Sequence, residues 1–75
     1  MDYLIQAKDG AIPCEVTIDD DNGVYTIRKS DTSGEVFNDA EQLIEWVHKN
    51  WSPDLFTSEE EFEKLINNLL LYRRE

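Results

Sequence analysis

The spacing of apolar residues changes period near Asn38, and that change commits the chain to a sheet followed by helices. Before it, Tyr3, Ile5 and Ala7 alternate with Leu4, Gln6 and Lys8. Cys14, Val16 and Ile18 alternate in the same way with Glu15, Thr17 and Asp19. Period two marks a strand with one buried face. After it, Ala40, Leu43, Ile44, Val47 and Trp51 recur at helical spacing, as do Phe62, Leu65, Ile66 and Leu69.

Two turn dipeptides predict how the strands pair. Asp9-Gly10 predicts a tight hairpin with Ala7 opposite Ile12, Ile5 opposite Cys14 and Tyr3 opposite Val16, all on one face. Asn22-Gly23 predicts a second hairpin, with Ile18 opposite Ile27 and Asp20 opposite Tyr25. Cys14, Val16 and Ile18 then share a face with Tyr25 and Ile27. Pro13 lacks an amide donor and belongs where the strand is unpaired or bulged. Asp31-Thr32-Ser33-Gly34 returns a short strand over Glu35-Val36-Phe37.

Asn38 or Asp39 caps the first helix, which ends at Asn50, Ser52 and Pro53. Thr57 with Glu60, or Ser58 with Glu61, opens the second as a capping box. Arg73 and Arg74 suit its C-terminal dipole. The expectation is a single α+β domain over residues 1–75. It comprises an antiparallel meander of three or four strands, with two C-terminal helices packed on one face.

Charge is the feature this fold does not explain. There are 17 Asp and Glu against 7 Lys and Arg, a net charge of −10 on 75 residues. A few units of net charge keep a small domain soluble; beyond that, self-repulsion works against the compact state. The sign opposes direct binding to nucleic acid or anionic lipid. It suits a basic protein partner, or it serves solubility alone.

Other classes fall away on residue counts. Cys14 is the only cysteine, so no internal disulfide forms, and a lone thiol suits a reducing, cytoplasmic compartment. His48 is the only histidine, which excludes Cys/His metal sites. Met1 to Lys8 lack a basic start followed by an apolar run, so a secretion signal is not expected. The apolar run Leu69 to Tyr72 is far short of the roughly 20 residues that span a bilayer.

Candidate chemistry is sparse. Asp19-Asp20-Asp21-Asn22-Gly23 resembles the start of a calcium loop, but Val24 falls where that loop requires glycine. The run reads either as a solvated turn or as an acidic finger for a basic partner. Glu59-Glu60-Glu61 reads either as acids favoured by the helix dipole or as one end of an acidic stripe. Glu41 and Glu45 fit a solvated helix face. Cys14 fits a small buried hydrophobe, and His48 lacks a nucleophile or orienting group at catalytic spacing. Trp46 lies at the edge of its stripe, as a core anchor or an exposed hot spot. There is no phosphate-binding glycine loop, no triad and no paired-carboxylate arrangement. No enzyme activity and no cofactor are expected.

From the acidic hairpin onward the chain resembles the small acidic anti-CRISPR proteins that phages encode against the type II effector nuclease. The resemblance covers about Asp19 to Leu69. It is carried by Asp20-Asp21-Asn22-Gly23-Val24-Tyr25, by a helix ending near Asn50-Trp51, and by Glu59-Glu60-Glu61-Phe62. The chain departs from that family in opening with a strand rather than a helix, and in Val24 and Ser58, where the family has further acids. The resemblance implies that Asp21 with Asp20, and Glu59 with Glu60, meet the arginines that read the short duplex motif beside the target.

Two functional expectations follow. The first is a non-enzymatic inhibitor or nucleic-acid mimic that occludes a basic DNA-binding groove through Asp19, Asp20, Asp21, Asn22, Glu59, Glu60 and Glu61, with Trp46 as an anchor. A CRISPR effector nuclease is the partner the resemblance implies. The second is a cytoplasmic adaptor domain that binds protein through Trp46, Trp51 and Phe56, with the acids serving solubility.

Overall fold

The period-two segments become four strands, β1 (Asp2–Ile5), β2 (Cys14–Asp19), β3 (Val24–Arg28) and β4 (Gly34–Phe37). They form one antiparallel sheet in sequence order. Two helices follow, α1 (Ala40–Asn50) and α2 (Glu59–Leu70), joined through a short 3-10 turn at Pro53–Leu55. This computed structural model describes residues 1–10 and 12–72. The expected dipole role of Arg73 and Arg74 lies outside the described residues.

The α+β meander with helices on one face is therefore the observed architecture. Ile5, Cys14, Val16, Ile18 and Ile27 point from the sheet into the core. Leu43, Ile44 and Val47 of α1 meet them, with Phe62, Leu65 and Leu69 of α2. Each large apolar side chain so buried contributes about 1.5–3 kcal/mol. The helix caps follow from local chemistry. Asp39 accepts a hydrogen bond from the Gln42 amide at 2.9 Å, and Ser58 Oγ accepts one from the Glu61 amide at 3.2 Å.

Two pairings differ from expectation. Ile5 faces Cys14 and Tyr3 faces Val16 as predicted, but Ala7 pairs with Phe56 rather than Ile12. The Lys8 amide donates to Leu55 O at 2.9 Å, and the Thr57 amide donates to Gln6 O at 3.0 Å. The helix connection thus adds to the outer edge of β1, on the side away from β2, and it buries Phe56 in doing so.

At the second hairpin, Ile18 faces Tyr25 and Val16 faces Ile27, two residues away from the predicted register. The cause is a wider loop. Asp19 accepts from the Asn22 amide at 3.3 Å and from Asn22 Nδ2 at 2.7 Å, which holds Asp20 to Gly23 outside the ladder. Gly23 takes φ +66° there, as the turn requires. A shift of two leaves every side chain on its predicted face.

Candidate interaction surface

The described carboxylates are all half-buried or exposed, and no charged side chain lies in the core. Among the described residues, Glu15 pairs with Arg28 at 3.3 Å, Glu35 with Lys29 at 3.1 Å and Glu61 with Lys64 at 4.0 Å. The other described acids have no described cation within ion-pair distance.

The hairpin acids are not equivalent. Asp19 is occupied by its own turn, and the Asn22 side chain holds its carboxyl below the usual carboxylate range. Asp20 Oδ1 accepts a 2.7 Å hydrogen bond from the Tyr25 hydroxyl. Asp21 and Asn22 are exposed. Beside them a depression of about 210 Å3 brings Asp20 together with Asp39, Glu41 and Tyr72. Sequence reasoning missed this neighbourhood, because it depends on where α2 delivers Tyr72.

At the start of α2, Glu59 and Glu60 are exposed. Glu61 is half-buried, and the Tyr3 hydroxyl donates to its backbone carbonyl at 3.2 Å. The two acidic runs do not merge. Tyr72, just past the C-terminal end of α2, lines a hollow with Asp19, Asp20 and Asp21, while Glu59 to Glu61 form the opposite end of the same helix. A helix of 12 residues separates them by about 18 Å.

Trp46 is half-buried, between Phe37 at 6.3 Å and Trp51 at 5.4 Å, with Lys29 Nζ 5.5 Å from its ring centre. It anchors an aromatic run that continues through Trp51 and Phe56 to Phe62. Phe56 is only 2 % exposed, which corrects its reading as a surface anchor. Cys14 is buried, and burial pushes its thiol pKa up. His48 is exposed. Among the described residues no three His, Cys, Asp or Glu side chains converge on a metal position. None of their helices is long and apolar enough to cross a membrane.

The fold and this surface define a small acidic α+β domain. No protein-family model, curated protein sequence or solved structure matches the chain.

Proposed function

We propose that the protein is a non-enzymatic acidic binder that occupies a cationic, nucleic-acid-binding surface on a partner protein. The carrying observation is the state of its carboxylates: exposed at both ends of α2 and, among the described residues, largely unmatched by cations. Such a field speeds encounter with a basic groove and excludes nucleic acid from it.

An RNA-guided effector nuclease is the partner implied by the resemblance in the hairpin and the Glu-rich helix start. Asp21, Glu59 and Glu60 are exposed, as that role requires, and Asp20 is exposed with one oxygen taken by Tyr25. The distance between the runs limits the arrangement. Neighbouring guanines on a strand lie about 3.4 Å apart, so the arginines that read them are close together. Runs about 18 Å apart meet two different parts of the groove. In this reading the hairpin engages the arginine pair and the start of α2 makes a second contact.

Affinity capture on the immobilised protein tests the proposal. Recovery of a nucleic-acid-binding protein that duplex DNA or added salt releases supports it. A salt-insensitive partner with no nucleic-acid function contradicts it.

A further inference from the structure

The end of the sheet remote from the acidic hairpin holds a second feature. The β1–β2 loop, the β3–β4 loop and the α1–α2 connection meet there around a cleft of about 450 Å3. Trp51 and Phe56 supply an apolar wall, and the two sheet loops contribute Asp9 and Asp31.

The walls are held in place before any ligand arrives. Gln6 Nε2 donates to Gly10 O at 2.8 Å and to Ala7 O at 3.1 Å. Gly10 lies so close to the facing loop that a methyl group on it would sit 2.3 Å from Ser30 Cβ. Asp31 Oδ1 accepts from the Ser33 amide at 3.0 Å and from Ser33 Oγ at 2.6 Å. The Trp51 amide donates to Val47 O at 2.9 Å. A cleft fixed in this way loses little entropy on binding.

Its charge is negative. Lys29 also lines the cleft, but its ammonium lies 3.1 Å from Glu35 Oε2 and 5.5 Å from the Trp46 ring centre. Glu35 therefore takes the ion pair of the lysine that lines the cleft; Lys29 still acts on Asp31 through its charge, Ser33 holds Asp31 Oδ1, and Asp9 has no ion pair with a described residue. Cys14, at the cleft wall, stays a neutral thiol because burial raises its pKa.

Two aspartates and a tryptophan lining one cleft favour a flat cation. Guanidinium stacks flat on aromatic faces and meets carboxylates with forked hydrogen bonds; an ammonium can approach both, but as a compact, strongly hydrated point charge without the planar fork. A second copy of this chain is a poor occupant, since each copy carries a net charge of −10 and the two repel. We propose that the cleft receives an arginine side chain of the basic partner, its guanidinium between Asp9 and Asp31 and against Trp51. The assignment rests on the reading of the protein as an acidic binder, and names the side chain that this face recognises.

The test is a titration of 15N-labelled protein with N-acetyl-arginine N-methylamide, beside its uncharged citrulline analogue. The arginine probe is expected to shift the Gly10 and Ser30 amides and the Trp51 indole N–H saturably, and the citrulline probe to leave them in place. D9N/D31N should weaken the probe about fivefold or more. E59Q/E60Q, an equal change in net charge, should not. Asp31 supports its own loop, so Asp9→Asn alone is the second variant; Asp9 accepts no hydrogen bond from a described residue. It should weaken the probe about twofold. Shifts centred on the hairpin or the start of α2, or equal weakening by E59Q/E60Q, overturn the assignment. Capture of a DNA-displaceable partner by a protein whose cleft ignores the probe removes the arginine site and leaves the mimic reading. A filled cleft without such a partner keeps the site and removes the mimic reading.

Discussion

Tyr3 and Glu61 lie 58 residues apart in sequence, yet the Tyr3 hydroxyl donates to the Glu61 carbonyl at 3.2 Å and stands 3.5 Å from Glu61 Oε2. This contact ties the start of α2 to the first strand. Tyr3→Phe keeps the ring and removes the tie, and should cost about 0.5–1.5 kcal/mol in urea denaturation. The phenol pKa is raised above its ordinary 10.0, first by burial and then by the Glu61 charge and hydrogen bond. The folded state therefore holds the proton more tightly than the unfolded chain does. That contribution is complete below the ordinary value and disappears as pH rises through the raised one. Spectrophotometric titration of the wild type against Tyr3→Phe checks the direction.

The acidic hairpin should divide into turn residues and a contact residue. Asp19 closes the loop through Asn22, and its depressed pKa means that its stabilisation is present at neutral pH and fades as pH falls below the ordinary carboxylate range. Asp19→Ala should lower the thermal midpoint and flatten the acid limb of the stability profile. Asp21→Asn should leave the midpoint unchanged or raise it slightly, because an exposed like charge is removed. Thermal melts at neutral and acid pH separate the two.

The faces of the strands were legible in the sequence because period two survives any even shift of register. The register at Ile18 was not, because the width of that loop depends on side-chain bonds from Asp19 to Asn22. Nor was the pairing of Ala7 with Phe56, which brings together segments distant in the chain. At the candidate surface, sequence showed which residues are acidic but not which remain free. Asp20 is drawn to Tyr25 and Glu61 to Tyr3, and only the packed fold places Asp39 and Glu41 beside Asp20.

Gly10→Ala should close the arginine cleft from within. The added methyl meets Ser30 Cβ at 2.3 Å unless a loop moves. Overpacking of this kind costs about 1–3 kcal/mol. Denaturation should show that loss, and the arginine probe should no longer shift the Trp51 indole N–H.

Leu65→Ala tests the core directly. Leu65 is 0 % exposed, between helix and sheet. Its truncation should cost about 2–5 kcal/mol. A chain of 75 residues has a total stability of about 4–11 kcal/mol at ordinary per-residue values, so the variant should lose a large share of it and unfold at clearly lower urea and temperature. The unfolded fraction is readable by circular dichroism.

The most direct measurement compares the wild type with D20N/D21N/E59Q/E60Q in partner capture across a salt series, with folding verified in parallel. The account predicts that the folded variant loses the DNA-displaceable partner by about tenfold or more, and that the salt dependence of what remains is shallower. A folded variant that retains the same partner with the same affinity and the same response to salt would contradict it.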